Sequence, residues 1–209
     1  MKLILISDTH LRLHRVTVPD GDVLVHAGDL TFNGDVPEIK KELDAIASLP
    51  HEYKVIIAGN HDWLFQRDPN RAIDMCRARG IIWLQDDIAE IGGLKFWGTA
   101  WQPEFCGWAF NLNHGWDLEQ KWDMIPDDTN VLITHCPPYG IGDLTTGEYG
   151  PPEHVGCRDL KRRIESMRHL KLHVFGHIHS GYGKYGVQVN ASICNERYEP
   201  VNPPIVVDL

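Results

Sequence analysis

Short apolar runs recur along the chain, separated by longer mixed segments. They are Leu3–Ile6, Val23–Val25, Val55–Ile57, Val131–Ile133 and Leu172–Phe175. Runs this short, and this rich in Val, Ile and Leu, predict strands buried on both faces. Helical patterns lie between them. Ile39, Leu43 and Ile46 recur at helical spacing, Asp35 followed by Glu38 resembles a capping box, and Pro37 suits a first turn. Arg71–Arg79 and Val155–Met167 predict two further helices, with Gly80 stopping the first. Ile81–Gly98 predicts a meander of short strands turning at Gly92-Gly93, and Ile205–Leu209 predicts a last strand. The pattern is that of an α/β protein with a mixed sheet, or with two sheets packed between helices. The segment Thr99–Gly115 fits neither period. It carries Trp101, Phe105, Trp108 and Phe110 among Pro and Gly, and a loop this long inside a compact domain is usually functional or self-packed.

Composition narrows the picture. The 209 residues suit one domain spanning residues 1–209, with 43% hydrophobic and 23% charged residues marking an ordinary globular chain. With 20 Lys+Arg against 29 Asp+Glu, the formal charge is −9, which disfavours a non-specific grip on long nucleic acid. Cys76, Cys106, Cys136, Cys157 and Cys194 are odd in number and show no CxxC spacing, so they read as free thiols in a reducing compartment. The apolar start MKLILIS ends at Asp8 and is too short for a signal-peptide core. No stretch approaches the roughly 20 apolar residues of a membrane helix. The expected location is the cytoplasm, with no membrane partner; the oligomeric state is not readable.

The chemistry follows the strands. After the first run comes Ser7-Asp8-Thr9-His10, and after the second His26-Ala27-Gly28-Asp29. The third is followed by Gly59-Asn60-His61-Asp62, the fourth by Thr134-His135, and the fifth by Gly176-His177-Ile178-His179. In open α/β sheets ligands bind beyond the carboxyl ends of the strands. If the sheet gathers these ends, then Asp8, His10, Asp29, Asn60, His135, His177 and His179 converge in one cleft. Imidazole, carboxylate and carboxamide together suit Mn²⁺, Fe²⁺, Co²⁺, Ni²⁺ or Zn²⁺. Seven side chains exceed one ion's needs but suit two ions sharing a carboxylate. Two ions about 4 Å apart clamp the oxygens of a phosphoryl displacement. Taken singly, each Asp is an ordinary turn former and each His an ordinary polar side chain, so the weight lies in the joint pattern.

The ordered blocks DxH, GD, GNHD, H and GHxH, from Asp8 to His179, resemble the signature of the calcineurin-like metallophosphoesterases. The stretches HAGDLT, YKVIIAGNHD, KLHVFGHIHSGYG, NASIC and NPPIVVDL look like the metallophosphoesterase domain-containing phosphodiesterases within that superfamily. The resemblance implies mixed β-sheets sandwiched between helices, an αββα arrangement. It implies that Asp8, His10 and His179 hold one metal, that Asn60, His135 and His177 hold a second, and that Asp29 bridges them. His61 would protonate the leaving oxygen or stabilise the transferring phosphoryl group. Mn²⁺ is favoured among the candidate ions, and a water shared by the two ions, losing its proton near neutral pH, is the expected nucleophile. One departure is Cys136, expected to be a small tolerated side chain.

Together these readings give a phosphodiesterase that acts on small phosphodiesters, with cyclic nucleotides (2′,3′ or 3′,5′) as the expected substrates. Its catalytic residues would be Asp29, Asn60 and His61. Trp101, Trp108, Asn111 and His114, in and beside the aromatic segment, are the candidate substrate wall, with Trp63 and Phe105 as further aromatics. His26 and His114 are candidates to face the cleft, whereas His14, His51, His154, His169 and His173 read as solvated surface. Asp62 reads either as a guide for His61 or as a surface turn residue. Two alternatives share the core: a phosphomonoesterase or nuclease, and a binding module that kept the fold. The second would be expected to have lost ligands, and none is missing here.

Overall fold

The computed structural model describes residues 1–146 and 151–209. Its first part gives β1 (Lys2–Ile6), β2 (Val23–Ala27), α1 (Val36–Ala47), β3 (Tyr53–Ile57), α2 (Trp63–Arg67), α3 (Pro69–Arg77) and β4 (Ile82–Trp83). There follow β5 (Asp87–Ile91), β6 (Leu94–Thr99), β7 (Gln102–Pro103), β8 (Asn111–Leu112), α4 (Trp116–Trp122), β9 (Val131–Thr134) and α5 (Arg158–Ser166). The chain closes with β10 (Leu172–Phe175), β11 (Gly183–Tyr185), β12 (Gln188–Asn190) and β13 (Ile205–Asp208).

Two sheets stack face to face, one ordered β13-β1-β2-β3-β4 and the other β11-β12-β10-β9-β6-β5. Period-2 alternation explains why the strands are apolar throughout. Leu3 and Leu5 of β1, with Val23, Val25, Val55 and Ile57, point at the other sheet and meet Phe96, Val131, Ile133 and Val174. Ile4, Ile6, Leu24 and Ile56 point the opposite way, onto Ile39, Leu43, Ile46, Leu64 and Phe65 of the first helical layer. On the far side, Trp97 and Leu132 pack against Leu118, Trp122, Leu160 and Ile164 of α4 and α5. The four layers are therefore helix, sheet, sheet and helix, and the expected mixed sheets between helices are what forms.

Local chemistry sets the boundaries. Asp35 accepts the Glu38 N–H at 2.9 Å and starts α1. The Glu38 carboxylate reaches past Asp35 to the N–H groups of Phe32, Asn33 and Gly34, so the capping box is only half made. Asp68 caps α3 through the Arg71 N–H, moving the start of that helix two residues ahead of its expected place. Cys157 caps α5 with its sulfur, so the expected helix over Val155–Met167 is trimmed at both ends. Gly92 and Gly93 both take positive φ and join β5 to β6 in an antiparallel hairpin, as the pattern predicts. The short helices α2 and α4 and the parallel pair β7–β8 carry no period long enough to read.

β1, β2 and β3 are adjacent and parallel, as are β9 and β10 in the other sheet. Five strand ends therefore open on the same rim. A bridge between Ser7 and Ser192 ties the two sheets together there.

Candidate metal centre

The residues that follow these strands meet in one place. Asp8, His10 and His179 form one group with ligand atoms within 4.8 Å of one another, Asp29, His135 and His177 a second, and His10, Asp29 and His61 a third. The Asp29 Oδ2 lies 3.8 Å from His10 Nε2, 3.4 Å from His135 Nε2 and 4.0 Å from His61 Nε2. It stands between the first two groups. His179 Nε2 is 3.4 Å from both Asp8 Oδ1 and His10 Nε2. Asn60 Oδ1 sits 3.0 Å from His135 Nε2. All seven side chains expected at the metals are thus brought together.

The imidazoles are aimed by their outer nitrogens. Nδ1 of His10 bonds to the Thr31 carbonyl, that of His135 to Ala27, that of His179 to Asn195 and that of His61 to Phe32, at 2.7–2.9 Å. A carbonyl only accepts, so each Nδ1 carries the hydrogen, and in the neutral ring Nε2 keeps its lone pair for the centre. Metal-binding histidines are held in this way, with the outer N–H on a carbonyl. This donor set, converging on shared carboxylates, fits two divalent ions.

Close approach of backbone to carboxylate explains two of the glycines. A Cβ on Gly59 would stand 2.2 Å from Asp29 Oδ1, and one on Gly176 would stand 2.1 Å from Asp8 Oδ2. The backbone carries strain as well. Asp8, His10, Asp29 and His177 all have φ between 41° and 68°, a left-handed region costing about 1–2 kcal/mol for each ordinary residue. Asp62, fully buried, offsets part of this cost. Its carboxylate accepts the N–H groups of Gly59, Leu30 and Thr31 and the Thr31 hydroxyl, joining the loop that carries Asp29 to the one that carries Asn60 and His61. Asp62 is therefore neither a surface residue nor a guide for the His61 ring, which rests on Phe32. Ser192 donates to Asp8 Oδ2 at 2.8 Å, and the His177 N–H reaches both Asp8 oxygens.

Burial and charge set the protonation. Burial pushes His10 down to about 4 and His177 down to about 3, so both are neutral near neutral pH. Burial also works against a charged His135, but the Asp29 carboxylate outweighs it and raises that pKa to about 9. His179 is raised in the same way, with burial outweighed by Asp8. Burial would raise Asp8 and Asp29, yet His179 holds Asp8, and His135 with His61 holds Asp29, well below the usual carboxylate range. Without metal, part of the cation's place is taken by protons.

The aromatic segment divides. Phe105, Trp108 and His114 line a cavity of about 520 Å³ that opens onto Asp29, Asn60, His61, His177 and His179. The Trp108 ring lies 4.3 Å from that of His61. Trp101 and Asn111 do not line it. The Trp101 indole donates to Asp86 at 2.9 Å under the Lys121 ammonium and packs on Phe110. Asn111 donates to the Phe105 carbonyl and accepts from Gln102, which shapes the loop itself. Trp63 stacks beneath Arg67, on the outer helical layer. Trp101 and Asn111 are corrected for one reason: their polar edges already have partners in the protein, Asp86 for the indole and Phe105 with Gln102 for the amide.

Other residues are also placed. Tyr198, absent from the sequence reading, lines the cavity with its ring 4.7 Å from that of His10. It lies in an irregular stretch with no motif, and its only sequence signal is its nearness to NASIC. His26 does not face the cleft. It is buried behind it on Thr9, which donates to Glu42 of α1. His173 and His51 are buried rather than solvated, His173 on Thr134 and His51 on the Pro19 carbonyl. Cys136 lines the cavity, but burial pushes its thiol well up, so it stays protonated and weakly nucleophilic.

No helix among the described residues is long and apolar enough to cross a membrane. Residues 1–181 match the family model described as calcineurin-like phosphoesterase. The human metallophosphoesterase domain-containing protein 1 is 39% identical over 233 residues, an overlap of 100% of this chain and 71% of that protein. The Caenorhabditis elegans UPF0046 protein K07C11.7 is 38% identical over 222 residues, covering 99% and 74% of the two chains. The crystal structure of TT1561 of Thermus thermophilus superimposes with a TM-score of 0.60 over 90% of this chain and 88% of that one, at 13% identity, a likeness of fold alone. With this match over most of its length and two groups of metal-type ligands sharing one carboxylate, the chain belongs to the calcineurin-like phosphoesterase family of metal-dependent phosphoesterases.

Proposed function

We propose that the protein hydrolyses small phosphodiesters, with cyclic nucleotides (2′,3′ or 3′,5′) as substrates and Mn²⁺ as the favoured ion of a pair. The observation that carries this reading is the position of Asp29 between the Asp8-His10-His179 and His135-His177 groups, with Asn60 alongside and His61 at the edge. Asp8, His10 and His179 would hold one ion and Asn60, His135 and His177 the other, with Asp29 shared. Two such ions supply Lewis-acid charge to a phosphoryl group and make water more acidic. The chain's residues do the rest. His10, His135 and His179 present Nε2 in fixed directions because their Nδ1 groups are anchored. His61, anchored in the same way, lines the cavity, and in its imidazolium form, with a hydrogen on both ring nitrogens, it can hand the Nε2 proton to a leaving oxygen and return to the neutral ring. Trp108, packed on His61, limits water on that side and offers a face to a base or aryl group.

Two features support a diester over a monoester. The described cavity lining contains no Lys or Arg to answer the second charge of a monoester dianion. Its wall contains aromatic faces suited to an uncharged ester group. Five free thiols support a reducing compartment, and we place the protein in the cytoplasm. The test is metal-free purification, titration with Mn²⁺, and rates on bis-p-nitrophenyl phosphate, p-nitrophenyl phosphate, cyclic nucleotides and single-stranded DNA. Diesters and cyclic nucleotides should lead. A monoester turned over far faster than every diester would contradict the reading.

A further inference from the structure

A further set of metal-type ligands shares no residue with the groups around Asp29. His114, Cys157 and Asp159 bring one ligand atom each to within 4.8 Å of one another. Around a tetrahedral zinc, ligands at about 2.0–2.3 Å lie roughly 3.5 Å apart, so small side-chain movements close the set on one ion. Cys157 is fully buried at the N-terminus of α5, where its sulfur accepts the Leu160 N–H. Burial pushes its thiol up, while the Leu160 N–H and the Trp122 indole work to hold it down. That indole is itself buried, and its N–H has no hydrogen-bond acceptor. A neutral thiol accepts weakly and a thiolate strongly, so an orphaned donor beside this sulfur marks a place prepared for negative charge. Asp159 accepts the Gly115 N–H through Oδ2, which holds the residue after His114 against α5. Its Oδ1 is paired with Arg162, but that side chain is largely exposed and also reaches Glu119 at 2.6 Å, so it can yield its place to a cation.

We propose that His114, Cys157 and Asp159 form a zinc site separate from the phosphoesterase centre. Thiolate, imidazole and carboxylate together select Zn²⁺ over Mn²⁺, which prefers oxygen ligands. Three protein ligands leave a fourth position for water. As the zinc–sulfur bond forms, the Cys157 S–H proton passes to the buffer, and nothing is oxidised or reduced. The Leu160 and Trp122 N–H groups then donate to the bound thiolate, as outer partners of metal ligands do. Arg162 keeps its pair with Glu119. His114 ends the aromatic segment and lines the cavity, whereas Cys157 and Asp159 stand at the start of α5. The ion therefore ties the cavity wall to a helix of the outer layer, and its role is structural. The inference does not depend on the phosphodiesterase reading, since the two sites have no ligand in common.

Cobalt separates this site from the other centre. A cobalt–thiolate bond gives a near-ultraviolet charge-transfer band, and the ligands from Asp8 to His179 contain no sulfur. The metal-free chain, titrated with Co²⁺, should show the band. It should persist in Cys106→Ser and Cys136→Ser, which remove the exposed thiol and the one that lines the cavity. Cys157→Ser, in which the serine still caps α5, should abolish it. His114→Ala, at an exposed position, should weaken the Co²⁺ binding that the band reports at least about tenfold. After dialysis against Zn²⁺, the unaltered chain should hold one ion per chain more than either of these two variants. The proposal is overturned by the absence of a band, by a band that survives Cys157→Ser or that depends instead on Cys106 or Cys136, and by an affinity that His114→Ala leaves untouched. An equal zinc count in all the chains overturns it as well. The band is expected whether or not phosphodiesters are hydrolysed, so its failure and the failure of that reading are distinct.

Discussion

The rim of strand ends and the aromatic segment at 99–115 border the same cavity, yet they were built by different rules. On the rim, a ligand's place follows from the sheet. Parallel neighbours β1, β2 and β3 deliver Asp8, Asp29 and Asn60 side by side, and β9 with β10 delivers His135 and His177 opposite them. In the aromatic segment past Thr99 the only ladder among the described residues is the two-residue pair β7–β8, apart from both main sheets, and side-chain bonds decide where the rings point. Trp101 turns outward to Asp86, while Trp108 turns inward onto His61. A strand-end residue can be assigned from its neighbours in sequence; a loop residue cannot.

Substitutions sharpen that contrast. Asp29→Ala should have the largest effect, at least about 10⁴-fold in kcat, because both candidate ion positions lose a ligand. Metal analysis by mass spectrometry should show weakened binding at both positions, and two tightly held ions would argue against sharing. His61→Ala should retain metal and lose about 10²–10⁴-fold in kcat, most for alkyl leaving groups that need a proton. Equal losses for aryl and alkyl esters would remove its role as a proton donor.

The two tryptophans form a matched pair. Trp108→Ala should raise KM for a cyclic nucleotide about tenfold with little change in melting temperature. Trp101→Ala should cost about 3 kcal/mol of stability with KM nearly unchanged, as thermal melts and initial rates would show. The reverse outcome would mean that the loop's partition between packing and substrate has been misassigned.

A smaller effect concerns protons. His135, raised to about 9 beside Asp29, is protonated near neutral pH in the metal-free protein and must lose that proton to bind an ion. Apparent metal affinity should therefore rise about tenfold per pH unit up to about pH 9 and then level off. Calorimetry in buffers of different ionisation heat should detect the released proton, and metal binding near neutral pH without proton release would contradict this. The sign for stability is opposite. The group's folded value lies above its unfolded 6.5, so its contribution to the metal-free fold is complete below about 6.5 and is lost as pH rises through about 9.

The apolar pattern carried the strands and the helical cover, because strands buried on both faces leave continuous apolar runs and α1 leaves a 3.6-residue stripe; it left one mixed sheet or two open, and the four-layer order came from the family resemblance. It also carried every candidate ligand, because each follows such a run. Backbone strain was not legible. Nothing in Asp8 or His177 announces a left-handed φ, which arises from bonds made by residues far away, such as the His177 N–H to Asp8. Asp62 was ambiguous for the same reason, since its four donors come from two loops. Tyr198 lies in irregular chain, where position is decided only by closure of the whole fold.

The central claim is that Asp29 is shared by two cations. Anomalous diffraction at the manganese edge from crystals grown with Mn²⁺ measures this directly. The account predicts two peaks about 3.5–4 Å apart, one beside Asp8, His10 and His179 and the other beside Asn60, His135 and His177, with the Asp29 carboxylate touching both. A single peak, or a pair that leaves Asp29 uncoordinated, would contradict it.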